Sequence, residues 1–279
     1  MVIIADSGST KTSWRLIKKN GSVASLQTAG INPVFMENEA IVSLLKDGLR
    51  EAVGGEGARE VDFYGAGIVD EEIKGRLSFC FKEVFPGCAV HASSDMLAAA
   101  RALCGHTAGI ACILGTGSNC CFYDGENIAQ SAKAGGFILG DEASGAYLGK
   151  RLISDYIKGL LPADLESEFN SRYGLDYPAI VRKVYKEPLP SRFLASFSPF
   201  INEFKETPYM ANLLKESFSA FISRNLHHFD TGRYSVNFVG SIAYHYSGIL
   251  KEAVISAGMK PGVILKEPID GLVEYHKSF

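Results

Sequence analysis

The sequence predicts an α/β protein built from two related halves, and three observations predict it. Two short turns rich in glycine and hydroxyl side chains each close an apolar run. Asp6-Ser7-Gly8-Ser9-Thr10-Lys11-Thr12 follows Val2-Ile3-Ile4-Ala5, and Gly115-Thr116-Gly117-Ser118-Asn119 follows Ile110-Ala111-Cys112-Ile113-Leu114. Three strands followed by alternating helix and strand open the chain, and the same succession opens again at residue 109. The chain has 279 residues, 47% of them hydrophobic and 21% charged, which is ordinary globular composition with enough chain for two domains or one large one.

Apolar runs over 2–5, 11–17 and 22–28 read as strands joined by tight turns, the second turn being Lys19-Asn20-Gly21, a hairpin signal. A helix over 37–53 carries Ile41, Leu44, Leu45 and Leu49 at helical spacing. Val61-Asp62-Phe63-Tyr64 is a strand ending at Gly65-Ala66-Gly67, and a helix over 70–83 leads to a short strand over 89–91. Ser93-Ser94-Asp95 then opens an alanine-rich helix over 96–103. The second half repeats the order with strands at 109–114, 119–123 and 127–132, the last two joined at Asp124-Gly125. Helices dominate from about 142 to 230; a strand over 236–240, a helix to 257, a strand over 263–265 and a helix over 268–276 complete the chain. The recurrence is one of architecture, without residue-level repetition.

Composition narrows the function. The net charge of −3 gives no general attraction to nucleic acid or anionic lipid. No stretch approaches the roughly 20 apolar residues of a membrane span, and the first apolar run ends at Asp6, too early for a signal peptide. A soluble, cytoplasmic protein with a small-molecule partner is expected. The six cysteines (80, 88, 104, 112, 120 and 121) form no Cys-x-x-Cys pair and read as buried thiols.

Five segments carry chemistry. In Asp6–Thr12, glycine and hydroxyl residues let backbone N–H groups approach phosphate oxygens. Asp6 would repel a phosphate but suits a hydrated Mg²⁺ beside one. The competing reading is a hairpin turn with Asp and Gly chosen for geometry. Gly115-Thr116-Gly117 repeats the pattern. Gly135-Gly136-Phe137 with Gly140-Asp141-Glu142 makes a loop able to press its backbone on a ligand, although two acids also suit a helix N-terminus. Asp95 reads as an N-cap, with Ser93 and Ser94 competing for that role. Phe238-Val239-Gly240-Ser241-Ile242-Ala243 is a strand-to-helix turn on which an adenine or ribose could rest, with a plain strand–helix connection the competing reading.

Together with Gly30-Ile31-Asn32-Pro33, these segments resemble the actin–hexokinase–heat-shock-chaperone superfamily of two-domain ATPases. Within it the chain is similar to the N-acetylglucosamine kinase group and its relatives, the benzoyl-CoA reductase and dehydratase-activator ATPases. The resemblance covers nearly the whole chain. It implies two ribonuclease-H-like domains flanking an interdomain cleft: 1–106, with the C-terminal helix over 267–279 a candidate to join it, and 107–266, with a helical insertion at about 150–230. It implies ATP contacts at Gly8, Ser9, Thr10, Lys11, Gly115, Thr116, Gly117, Gly240 and Ser241, with Asp6 near Mg²⁺ through water. It implies sugar contacts at Asn32, Asp95, Asn119, Gly135, Gly136 and Asp141, with Asp95 as catalytic base. Domain closure would exclude water, and homodimers are common among such relatives. Phe137 stands where these kinases often carry tryptophan, which keeps an aromatic wall and loses an indole donor.

The leading expectation is therefore phosphoryl transfer from ATP to the 6-hydroxyl of N-acetylglucosamine. An ATP-gated activator with a dimer-bridging iron–sulfur cluster is the first alternative. It draws on Cys112, three residues before the second turn, but lacks a convincing second ligand. A nucleotide-binding regulator without catalysis is the second.

Overall fold

The computed structural model describes residues 1–8, 10–68 and 70–277. Ser9, expected in the first phosphate turn, lies outside the described residues. The chain divides into two units: Met1–Thr107 with Gly125–Asn127 and the segment from Glu267 onward, and Ala108–Asp124 with Ile128–Lys266.

In the first unit, β1 (Val2–Ser7), β2 (Lys11–Ile17) and β3 (Val23–Ala29) form an antiparallel meander. Helix α1 (Asn38–Val53) buries Ile41, Leu45, Leu49 and Val53, one side of its helical period. Strand β4 (Glu60–Gly65) then pairs parallel to β1, with Ser7 opposite Gly65. Helix α2 (Glu71–Val84) is capped by Asp70, whose carboxylate accepts the Ile73 N–H. Strand β5 (Ala89–Ser94) pairs parallel to β4, three residues longer than the sequence predicted, and α3 (Asp95–Cys104) follows at once. Trp14, Phe63 and Phe81 meet at ring separations of 5.7–6.3 Å in the core beneath α1 and α2.

The second unit repeats the plan. Strands β6 (Gly109–Leu114), β7 (Ser118–Tyr123) and β8 (Ile128–Ser131) form the meander. A long helical run then intervenes: the single turn α4 (Gly136–Leu139), then α5 (Gly145–Tyr156), α6 (Ala163–Tyr173), α7 (Tyr177–Tyr185), α8 (Pro190–Ala195), α9 (Ser198–Glu203) and α10 (Pro208–Asn225). Strand β9 (Val236–Val239) pairs parallel to β6. The helix expected to reach residue 257 is two helices, α11 (Ser241–His245) and α12 (Ser247–Ser256), with Tyr246 off the helical conformation between them. Strand β10 (Pro261–Leu265) pairs with β9. The sheet orders are β3-β2-β1-β4-β5 and β10-β9-β6-β7-β8. Numbered within its own unit, the second reads 3-2-1-4-5 from its other end, so one topology occurs twice. This is the two-domain α/β architecture of actin-like ATPases.

The last helix, α13 (Ile269–Lys277), belongs to the first unit. Ile269, Leu272 and Val273 bury against Ile4, Tyr64 and Ala98, on the sheet face opposite Trp14 and Phe63. His276 Nε2 lies 2.9 Å from the Tyr64 hydroxyl, which also accepts from Arg101 Nη1 at 2.8 Å. Asp62 Oδ2 is 3.6 Å from His276 Nδ1.

Candidate functional site

In the first unit the candidate residues gather at the C-terminal ends of the parallel strands β1, β4 and β5, where open α/β sheets place their ligands. Ser7 closes β1 and is buried. Its Oγ accepts the Ile31 N–H and bonds the Ile31 carbonyl, both at 2.9 Å, and lies 2.7 Å from Thr12 Oγ1. One hydroxyl thus ties the first turn to the segment that presents Asn32. Asn32 Oδ1 accepts the Val34 N–H at 3.0 Å, an Asx turn, and a methyl built on Gly67 would lie 2.8 Å from that same oxygen. Gly67 has φ +82°, so the loop after β4 needs glycine both for its backbone and for its closeness to Asn32.

The turn itself is closed by Gly8 N–H donating to the Lys11 carbonyl at 3.0 Å, with Thr10 exposed at its tip. Lys11 Nζ is 2.7 Å from Glu267 Oε1, a residue the sequence reading did not single out. Glu267 precedes α13 by two residues, and its role is legible only once α13 is seen to return to β1 and β2.

Ser94, not Asp95, caps α3: its Oγ accepts the Leu97 N–H at 3.2 Å. Asp95 is the first residue of that helix, and its Oδ1 accepts the neighbouring Met96 N–H at 2.8 Å. The capping explanation for Asp95 therefore falls to its neighbour. Burial raises the Asp95 carboxyl above the usual carboxylate range, opposed by the N–H donors of Met96 and of Asp95 itself. Asp6 is pushed up to about 7, first by burial, then by the charges of Asp95 and Glu267, with Lys11 opposing. Asp6, Asp95, Glu267 and Lys11 thus form one electrostatic cluster with a surplus of negative charge. That surplus fits a cation held through water beside Asp6. No group of three His, Cys, Asp or Glu side chains among the described residues could ligate a metal directly.

In the second unit, Gly115, Thr116 and Gly117 follow β6. The first two carbonyls anchor α5: Gly145 N–H donates to Gly115 at 2.8 Å and Ala146 N–H to Thr116 at 3.1 Å. Ser144, not Asp141 or Glu142, caps α5, accepting the Tyr147 N–H. Asp141 instead adopts φ +55° and is buried. Burial raises its carboxyl, the Ser118 N–H and Lys150 lower it, and Glu142 adds to the rise. Glu142 is structural: its carboxylate takes Arg224 Nε and Asn225 Nδ2, and its carbonyl accepts from Ser118 Oγ at 2.8 Å.

Gly135 and Gly136 adopt φ +76° and +68°, and Asp141 N–H closes their loop onto the Ala134 carbonyl at 3.2 Å. Asn119 sits on β7 opposite Ile113, its Oδ1 accepting the Cys120 N–H. Phe137 is half-buried, and its carbonyl accepts from Lys150 Nζ at 2.7 Å. Gly240, at φ +124°, packs so closely on the Leu114 carbonyl and Gly115 nitrogen that it admits no side chain. The second glycine turn, the Asp141 loop and Gly240-Ser241 are therefore brought together within this unit. Beside Ser241 opens a cavity of about 300 Å³ lined by Pro199, Asn202, Ile242 and His245, of which only Ile242 lies in a segment that the sequence singles out.

Comparison with known proteins decides the family. A crystal structure of a protein from Porphyromonas gingivalis, provisionally named an N-acetylglucosamine kinase, superposes with a TM-score of 0.94 at 40% sequence identity, covering 100% of this chain and 99% of the other. The chain belongs to the N-acetylglucosamine-kinase-like family. Another structure bearing that provisional name, from Chromobacterium violaceum, shares the fold at TM-score 0.75 and 20% identity, covering 98% of each chain. The ethanolamine utilization protein EutJ of Carboxydothermus hydrogenoformans shares the fold at TM-score 0.51 and 16% identity, covering 96% of this chain and 86% of its own. This kinase-like family thus sits within the wider actin-like ATPase fold. No family model matches the chain, and no curated protein matches it.

Proposed function

We propose that this chain is an ATP-dependent sugar kinase that phosphorylates the 6-hydroxyl of N-acetylglucosamine, with Asp95 as the general base. The observation that carries the reading is Asp95 itself. It is a half-buried carboxylate just past the end of a parallel strand, relieved of capping by Ser94 and raised in pKa beside Asp6. A base of that kind is matched to a hydroxyl that becomes acidic only as its bond to phosphorus forms. The sugar oxygen attacks the γ-phosphorus, the bond from phosphorus to the β-bridging oxygen breaks, Asp95 takes the hydroxyl proton, and ADP leaves.

The Gly8 and Gly115 N–H groups are spent within their own turns, on the Lys11 and Gly117 carbonyls, so the phosphates would be bound by the other N–H and hydroxyl groups of these turns, at Thr10, Lys11, Thr116 and Gly117. Mg²⁺, when bound beside Asp6 through water, supplies positive charge that screens the phosphate oxygens. Asn32, Asn119, Asp141 and the Gly135-Gly136 backbone would pair the sugar hydroxyls and acetamide, and such pairing rejects analogues that leave it unsatisfied. Positioning and charge stabilisation carry most of the acceleration in phosphoryl transfer. The kinship with a protein named for this substrate, over the whole chain, supports the acceptor.

The activator alternative loses support from Cys112, which is fully buried in the core of the second unit, where it cannot reach a cluster shared with a second chain. Mg²⁺-dependent ADP release from ATP, measured with N-acetylglucosamine, glucosamine, glucose and no sugar, tests the proposal. Release that needs the acetylated sugar supports it. Release with a different sugar keeps the mechanism and moves the substrate, and release independent of sugar overturns it.

A further inference from the structure

Helix α5 holds both candidate loops of the second unit. Its first two N–H groups, at Gly145 and Ala146, donate to the Gly115 and Thr116 carbonyls of the second glycine turn. About one turn further along, Lys150 reaches out from the same helix. Its Nζ donates to the Phe137 carbonyl at 2.7 Å, in the middle of the loop that runs from Gly135 to Asp141. The helix is a firm base for that reach. Its Gly149 backbone packs so closely on α8 that an added methyl would lie 1.9 Å from the Leu194 carbonyl. The Tyr147 ring, three residues back along α5, lies 5.4 Å from Nζ, a cation–π contact that steadies the long side chain.

The loop needs such a tether. Gly135, Gly136 and Asp141 all have positive φ, at +76°, +68° and +55°. For Asp141 that conformation carries a steric cost that its surroundings must offset. Helix α4 is a single turn, too short to hold itself. Ile138 and Leu139 stand 72% and 80% exposed, so they contribute little packing. Four interactions hold the loop: the Phe137 ring on the core, Gly140 N–H on the Gly136 carbonyl at 2.8 Å, Asp141 N–H on the Ala134 carbonyl at 3.2 Å, and the Lys150 bond. Of these, the Lys150 bond is the charged one, and a charge-assisted hydrogen bond is roughly twice as strong as a neutral one. The same charge acts on the Asp141 carboxyl, lowering it together with the Ser118 N–H against the rise imposed by burial and Glu142.

We propose that Lys150 is the positioning residue of the sugar site: its bond to the Phe137 carbonyl sets the Gly135-Gly136 backbone and Asp141 where the polar groups of the sugar meet them. The inference rests on the sugar-kinase reading above and deepens it. The second glycine turn is held by backbone N–H groups of α5, which any side chain at position 150 leaves in place. Loss of Lys150 therefore acts on the sugar and spares the nucleotide.

Lys150→Met keeps a long, helix-forming side chain and removes its charge and its donor. The probe is whichever of N-acetylglucosamine, glucosamine and glucose gives the fastest ADP release. KM for that sugar should rise about tenfold or more, the scale of one charge-assisted hydrogen bond. Turnover should fall less than about threefold, as expected when binding common to ground and transition states is removed. Calorimetric titration of the full chain should show sugar affinity weakened by the same factor, with ADP affinity within about twofold of wild type. Lys150→Arg keeps charge and donors for a single carbonyl acceptor and should bring KM to within about threefold of wild type. An unchanged sugar KM in Lys150→Met overturns the proposal. So does an equal loss of sugar and ADP affinity, which marks a general disturbance of the unit, or a failure of Lys150→Arg to recover.

Analysis of the sugar product in the same samples separates this inference from the kinase reading. Sugar bound in a Lys150-dependent way, with no sugar phosphate formed, keeps the inference and removes the kinase. Sugar phosphate formed at equal KM by wild type and Lys150→Met does the reverse. A wild type that binds none of these sugars removes both.

Discussion

A methyl group built on Gly117 would lie 3.0 Å from Oδ2 of Asp141, so the second glycine turn and the Asp141 loop touch at a point with no space for a side chain. The contact makes the placement of one a condition on the other. Gly117→Ala should displace the Asp141 carboxylate by a few tenths of an ångström. We expect kcat/KM for the sugar to fall about tenfold, near 1.4 kcal/mol, because small misplacements in such sites are expensive. Gly115→Ala is the informative companion. A methyl there meets nothing in the free protein, so melting should be unchanged while ADP affinity falls. Steady-state kinetics and ADP titration of the two variants read the difference; equal behaviour would refute the distinction.

Asp95→Asn keeps the shape of the first residue of α3 and leaves the Ser94 cap in place. Turnover should drop about 100-fold or more, the usual scale for losing a general base, with the sugar still bound. Pre-steady-state product formation and sugar titration check both halves. A near-normal kcat would remove Asp95 from the chemistry.

Asp62 and His276 make opposing contributions to the pH dependence of stability. Burial pushes the Asp62 carboxyl from 3.8 up to about 6, with Glu60 adding to the rise. The folded protein then holds more protons than the unfolded chain across that window, so this group's contribution is lost as pH rises from about 4 through 6. Burial, reinforced by Arg101, holds His276 from 6.5 down to about 4. Its contribution is present above 6.5 and lost as pH falls through that range. The two offset each other. Relative to wild type, Asp62→Asn should lose Tm on acidification from pH 6.5 to 4, and His276→Gln should gain it. Parallel melting profiles for the two variants would contradict this pairing.

Glu142 suits a helix N-terminus in sequence, beside Asp141, but its carboxylate is spent on Arg224 and Asn225. Glu142→Ala leaves the buried Asn225 Nδ2 with only the Phe221 carbonyl and takes the carboxylate from Arg224, while the Ser118 bond to the backbone carbonyl stays. A loss of about 2 kcal/mol is expected, a drop of roughly 4–8 °C in Tm. Calorimetry should register the drop on the transition of the second unit, and a Tm within 1 °C or so of wild type would show the carboxylate to be dispensable.

The strands were legible because alternating or continuous apolar runs ended in glycine or Asx turns, as at Ala5-Asp6 and Leu114-Gly115. The convergence of Gly117, Asp141 and Gly240 in one unit was legible as a set of motifs, though not as contacts. What stayed hidden was set by distance along the chain. Ser94 and Asp95 are both good capping residues, and only the geometry of the Leu97 N–H separates them. The break at Tyr246 answers to packing and its hydroxyl's bond to Ser198, in a segment whose helical propensity runs on. Glu267 carries no local pattern. It gains its meaning from Lys11, 256 residues away in sequence.

The return of α13 to the first sheet also sets a timetable for biosynthesis. Ile269, Leu272 and Val273 complete the face of β1 and β4 that Ile4 and Tyr64 begin. A ribosome therefore releases the N-terminal unit with that face bare, and it stays bare while the entire second unit is translated. Until the final helix emerges, a nascent chain exposes apolar surface that a chaperone could cover, and a stop codon before residue 269 would leave it uncovered for good.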